Sequence, residues 1–366
     1  MEETNEVRGT ETPVYNESYE SLWGIQPSEG TEDQKTVLKP IRKLFSRLGL
    51  WFFLGGVIMY AAQIVVLLPI ALFRPAWVDD VNISILLSAL PLYLIGMPAL
   101  IAMVRTIPGQ APEKHSMKAG HFILAAIMCF AIMYILNFLG TLLTELIGML
   151  KGWEVEDVLD SALSGASIPL VFAYTVICAP IMEEFVFRKL IVDRTMRYGQ
   201  GVAVLLSGLM FGLFHGNLGQ FVYTFGLGLF LAFLYVKTGK LKITIALHML
   251  VNLMGGVFSL VMMNVIDLDE MNMLLESGAD NGAILAYYMD HFAGMIMLLA
   301  YEFIVYGSML AGGILIIVAF AKRRFKLAQG EVVIPKGRRF TTVFLNVGML
   351  LYCIFWIALI ILQLLM

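Results

Sequence analysis

The chain has 366 residues, of which 59% are hydrophobic and only 14% charged, a balance that excludes an ordinary soluble globule and favours a polytopic helical membrane protein. The net charge of −3 is too small to describe partners, no nucleic acid is implied, and the information lies in where the charges fall. Cys129, Cys178 and Cys353 are odd in number and all sit in apolar stretches, so they read as small core residues and supply no disulfide framework.

Residues 1–34 carry nine acidic side chains against one arginine and no sustained apolar period, the composition of an acidic, disordered tail. They lack the basic start and short apolar core of a signal peptide, so the first span is expected to act as an uncleaved insertion signal. Residues 35–366 form the transmembrane bundle. Crossing the hydrocarbon takes about 20 helical residues. Apolar runs of that kind lie at 50–73, 82–104, 120–150, 168–190, 201–216, 218–237, 243–263, 293–321 and 341–366. The run at 201–216 is short, and Asp290 and His291 interrupt the eighth, whose start falls near 283 or 293. The expected fold class is therefore all-α, a helical membrane bundle of eight or nine spans, with no internal repeat of the inverted-repeat transporter kind.

Basic residues recur in alternate connections. Lys35, Lys39, Arg42, Lys43 and Arg47 precede the first span; Arg105, Lys114 and Lys118 follow the second; Arg194 and Arg197 follow the fourth; Lys237, Lys240 and Lys242 follow the sixth; and Lys322, Arg323, Arg324, Lys326, Lys336, Arg338 and Arg339 follow the eighth. The intervening connections are poor in Lys and Arg and hold Asp79, Asp80, Glu154, Glu156, Asp157, Asp160, Asp267, Asp269, Glu270, Glu276 and Asp280. The positive-inside rule then puts the N-terminus in the cytoplasm and the C-terminus outside, in an integral protein of the cell membrane.

Three polar fragments interrupt the apolar runs: Glu183-Glu184 with Arg188, Phe211 with His215, and His248 with Asn252. A charge at the bilayer centre costs at least ~2.5–3.5 kcal/mol, so such groups need partners or a use. Pro180 lacks an N–H and is expected to kink the fourth helix just before Glu183. Glu184 and Arg188 stand i,i+4 in the favourable acid-before-base order and read as a structural ion pair, which leaves Glu183 over. If helices four and five turn near Gly199–Gly201, Glu184 and His215 each lie about 22 Å from the turn and face one another. His248 fits less well, at about 13 Å beyond the turn at Gly239, unless the turn Gly216-Asn217-Leu218-Gly219 is buried. Each histidine alone is an ordinary hydrogen-bonded core residue. Jointly, a carboxylate pair, two histidines and an asparagine supply the base, acid and amide donors that amide hydrolysis needs.

Taken together, Pro180-Ile-Met-Glu-Glu-Phe-Val-Phe-Arg188, Phe211-Gly-Leu-Phe-His215 and Leu234-Tyr-Val-Lys-Thr-Gly239 leading to His248-Met-Leu-Val-Asn252 resemble the CPBP family, the CAAX prenyl protease and bacteriocin-processing (Abi-type) intramembrane proteases. The likeness covers about 168–256, with Lys189 where many members carry a small residue. The resemblance implies an intramembrane endopeptidase in which Glu183 and His215 activate water, His248 and Asn252 stabilise the oxyanion, and Glu184 and Arg188 shape the site. The family is often called metalloprotease, and Glu183, His215 and His248 are the candidate ligands for zinc with one position open. There is no His-Glu-x-x-His helix, and a glutamate in apolar surroundings can act as general base without metal, the reading favoured here. Partners are then membrane lipid and a peptide or protein substrate, of which a prenylated one is an example. Two other readings stand beside this: a proton-coupled transporter, with Glu302 as part of a relay, and a catalytically idle immunity or scaffold member of the same family.

Overall fold

The computed structural model describes residues 31–153, 155, 161, 163–265 and 268–365. The acidic tail therefore lies outside the described residues as far as position 30, and Thr31 is already helical. Among the described residues there is no strand. Nine principal helices follow: α1 Thr31–Phe73, α2 Val81–Arg105, α3 Ala119–Lys151, α4 Ile168–Tyr198, α5 Gln200–Phe214, α6 Leu218–Thr238, α7 Leu241–Met262, α8 Phe292–Ala321 and α9 Val347–Leu365. Eight of them are long and apolar enough to cross a membrane, and the protein is an integral membrane protein. The exception is α5, whose 15 residues fall short of the expected ninth span. The interruption read at Asp290 and His291 is real: a separate helix, Asn281–Asp290, ends there and α8 starts at Phe292.

The helices form two packed groups around the motif-bearing pair. Phe45, Phe52 and Met59 of α1, Met97 and Leu100 of α2, and Tyr352 and Trp356 of α9 bury one side of α4 and α5. Cys129 and Met133 of α3, Leu227 and Leu231 of α6, and Leu247 and Val251 of α7 form the second core. The outward faces are apolar, as lipid-facing helices must be; Phe303 on α8 is 79% exposed. Cys129 is buried as expected, but Cys178 is exposed, because it lies on the outer face of α4.

Helices α5 and α6 form a hairpin of unusually close approach. A Cβ on Gly228 would meet both Gly208 Cα and Phe211 Cδ1 at 3.0 Å, so the small residues let Phe211 lie flat in the interface. The hairpin turn is half-buried, with Asn217 buried and Gly216 and Leu218 partly exposed. Gly216, at φ 68°, lies against the Trp356 ring, and α1 and α9 run on past it to Phe73 and Leu365. Asn217 closes the turn, with its Oδ1 accepting from Gln220 N–H (2.8 Å) and its Nδ2 donating to His215 O (3.1 Å). Leu218 and Gly219, expected in the turn, belong to α6.

All five basic connections meet at one end of the bundle. Arg42 Nη2 donates to Leu345 O, Arg47 Nη2 to Thr106 Oγ1 and Arg194 Nε to Val104 O. His115 N–H reaches Thr238 O at 2.9 Å, and Val332 N–H reaches Arg197 O at 3.0 Å.

Candidate active site

Helix α4 is wound unevenly around Pro180. The segments Phe172–Cys178 and Glu184–Val192 are π-helical, with one α turn, Ala179–Glu183, between them. The missing N–H and the ring of Pro180 disturb the regular ladder, and widened turns are one way a helix absorbs that. Neighbouring hydroxyls take up carbonyls of this region: Ser207 Oγ of α5 donates to Phe187 O (2.8 Å), and Thr195 Oγ1 to Ile191 O (2.7 Å).

Glu184 and Arg188 are both fully buried and form the expected pair, Nε to Oε2 at 3.1 Å. His248 joins them from α7, donating from Nδ1 to Glu184 Oε1 at 3.0 Å. Its other nitrogen, Nε2, lies 3.7 Å from Glu183 Oε2. One imidazole therefore bridges the two adjacent carboxylates. The family resemblance joins Glu183 with His215 in activating water; among the described residues no ion pair joins those two, and His248 is the ion-pair neighbour of Glu183. His248 nonetheless reaches the cluster from α7. The Gly239 turn is buried under the α2–α3 connection, with Glu113 O packed on Gly239 and His115 N–H bonded to Thr238 O.

The centre of the cluster is an aromatic ring. Phe211, fully buried, meets the rings of both His215 (4.9 Å, 90°) and His248 (5.7 Å, 86°), while the Arg188 guanidinium sits over its ring at 4.3 Å. Edge-to-face contacts and a cation over a ring face are each modestly attractive and fix orientation. His215 is further held by Nδ1–H donating to Phe211 O at 2.9 Å; since a carbonyl only accepts, Nε2 carries the free lone pair of the neutral ring. Among the described residues Asn252 makes no hydrogen bond to Glu183 or Glu184. Its Nδ2 donates to Thr175 O (2.8 Å), pinning α7 to the first π-helical segment and leaving one amide hydrogen.

Glu183 is the reachable carboxylate, with a side chain 16% exposed against 0% for Glu184. Tyr93 of α2 and Tyr174 of α4, whose rings meet at 5.9 Å, lie within electrostatic reach of it. Neither tyrosine has a local spacing that would single it out. Lys189, the departure from the family pattern, pairs with Asp193 Oδ2 (2.8 Å), which also accepts from Tyr235 OH through Oδ1 (2.9 Å). Glu302 makes no ion pair among the described residues, and α8 does not bring it into the cluster. Among the described residues no three of His, Cys, Asp and Glu converge closely enough to hold a metal. The Nδ1 of each histidine is already engaged, by Phe211 O and by Glu184.

No solved structure matches the chain. Residues 165–254 match the family model described as type II CAAX prenyl endopeptidase Rce1-like. The membrane-embedded CAAX protease MroQ of Staphylococcus aureus (strain USA300) is 32% identical over 100 residues, 25% of this chain and 40% of that protein. YdiL of Bacillus subtilis (strain 168), named as a candidate membrane peptidase, is 31% identical over 90 residues, 24% of this chain and 36% of that protein. The matches thus span about two fifths of the curated relatives or less. The family match encloses every residue of the cluster on α4, α5 and α7, and residues 165–254 are similar to the Rce1-like CAAX prenyl endopeptidase model, in line with the CPBP resemblance of the motifs.

Proposed function

We propose that the chain is an intramembrane endopeptidase that hydrolyses a peptide bond of a membrane-associated or lipidated peptide. The observation that carries this reading is the run of contacts Arg188–Glu184–His248–Glu183, packed with His215 against Phe211. Arg188 and Glu184 neutralise each other and orient His248. Glu183 is left as the accessible carboxylate and takes a proton from water, which His215 Nε2 helps to hold. The resulting hydroxide attacks the scissile carbonyl carbon. His248, carrying a proton on each ring nitrogen in this step, donates through Nε2–H to the oxyanion, as does the second amide hydrogen of Asn252; the proton on Glu183 then passes to the leaving nitrogen as the C–N bond breaks.

A lipidated substrate, such as a prenylated C-a-a-X tail, suits the setting. Phe172, Ile177 and Ile181 are exposed along the outer face of α4, the last of them two residues before Glu183. An apolar chain can approach there from the bilayer without crossing water. The test is cleavage of a membrane-anchored reporter peptide by the purified protein. Glu183→Gln, His215→Ala and His248→Ala are each expected to lower turnover by ~10²–10⁴-fold while folded yield is kept. Near-normal turnover in Glu183→Gln would remove Glu183 as the base.

A further inference from the structure

The connection between α8 and α9 is a strap across the turn that joins α4 to α5. Gln200 N–H donates to Ala328 O (3.1 Å), Ala328 N–H to Gln200 Oε1 (3.0 Å) and Val332 N–H to Arg197 O (3.0 Å), and Ile334 is buried in the main core. Beside the strap is a cavity of 530 Å³ that the carboxylate cluster does not use. That volume lies within the ~300–1,000 Å³ of small-molecule sites.

The lining has two characters. Val202 and Leu205 of α5, Val333 of the strap, and Phe340 and Phe344 before α9 form apolar walls, and Leu205 and Phe340 are exposed, which carries the wall outward to the lipid-facing surface. Lys336 and Arg339 stand at the same cavity. Arg339 Nε donates to Ile334 O (3.1 Å), and neither cation has a carboxylate partner among the described residues. The surrounding stretch 322–340 holds seven Lys and Arg against one acid, Glu331. An uncompensated cation pair above apolar walls, at the end of the bundle where all the basic connections gather, matches a ligand with an anionic head and an apolar tail.

We propose that this cavity binds an anionic phospholipid, the phosphate at Lys336 and Arg339 and an acyl chain along Leu205 and Phe340. Free phosphate would leave the apolar walls unused. A zwitterionic lipid brings its own cation to an already cationic rim. Because the strap is bonded to Gln200, the first residue of α5, an occupied site braces the helix that ends at His215. The proposal stands apart from the protease reading and is tested without a cleavage assay.

The experiment measures lipid retention by native mass spectrometry and thermal unfolding of the full chain in detergent, with phosphatidylglycerol, phosphatidylcholine or inorganic phosphate added. Phosphatidylglycerol is expected to be retained and to raise the unfolding temperature, and the other two are not. The double variant Lys336→Gln/Arg339→Gln should bind it more weakly, by roughly fivefold per cation or about 25-fold for the pair. Lys336→Arg/Arg339→Lys should bind as the parent does. Val333→Trp, which keeps both cations but fills the apolar part, should also lose retention. Equal retention of the two lipids, stabilisation by phosphate alone, or undiminished binding in the glutamine variant would each overturn the assignment.

Discussion

His248 donates from Nδ1 to Glu184 Oε1 at 3.0 Å across 64 residues of sequence, and this bond sets the direction of the ring so that Nε2 points toward Glu183. Orientation of the second carboxylate's neighbour is therefore delegated to the first. Glu184 contributes to the site by holding, while Glu183 is left accessible.

Arg188→Ala is expected to lower yield and thermal stability sharply, by ~3–5 kcal/mol, since it strands a buried carboxylate. Glu184→Gln/Arg188→Met removes both charges together and should recover much of the stability, measured by unfolding in detergent. Turnover should not recover with it, because the acceptor that orients His248 is weakened. An unchanged unfolding temperature in Arg188→Ala would contradict the pairing.

Phe211→Leu tests the ring as a positioning residue. The protein should fold, but both histidines lose their edge contact and Arg188 loses the face beneath it. A misplacement of about 1 Å can cost ~10²-fold in turnover. The effect should fall on kcat more than on KM, and Phe211→Tyr, which restores the ring, should recover activity if the hydroxyl is accommodated. Equal turnover in Phe211→Leu would show that the ring is only filling.

The dependence on pH and on metal separates the two chemistries. Glu183 must be ionised to accept a proton, so the rate should fall as pH drops through its titration, and a chelator should leave the rate unchanged. Glu183→Gln should flatten that acid limb in whatever activity remains. Loss of activity on chelation, regained with added Zn²⁺, would show that metal is required and leave the hydrolytic reading in place.

Topology is tested at Ser277, an exposed residue between the ends of α7 and α8. With the five basic connections on the cytoplasmic side, a cysteine introduced there should react with an impermeant reagent from outside intact cells. Labelling only after permeabilisation would reverse the orientation.

The long spans were legible because twenty apolar residues leave few alternatives, and the Glu184–Arg188 pair because i,i+4 neighbours meet on any helical turn. Spacing could not show that Glu183 faces His248. That contact depends on how α7 docks against α4, and α7 starts at the Gly239 turn, on which the sequence-distant segment around Glu113 packs. Nor could spacing single out Phe211 from the other aromatic residues of apolar runs, since its distinction lies in three partners from α4, α5 and α7. The widened turns around Pro180 were legible only as a kink, because a π turn and a bend have the same cause in sequence.

Both ion pairs of α4, Glu184 with Arg188 and Lys189 with Asp193, lie within single turns of one helix. This bears on the order of assembly. A lone charge entering the bilayer centre costs at least ~2.5–3.5 kcal/mol, but a pair that closes as its own helix winds can enter as a neutral unit before any later helix is made. His248 is synthesised some sixty residues afterwards and reaches a span that is already in place. Until it arrives, Glu183 is, among the described residues, the one carboxylate of this span that forms no ion pair within its own helix. The docking of α7 is then the step that creates the cluster.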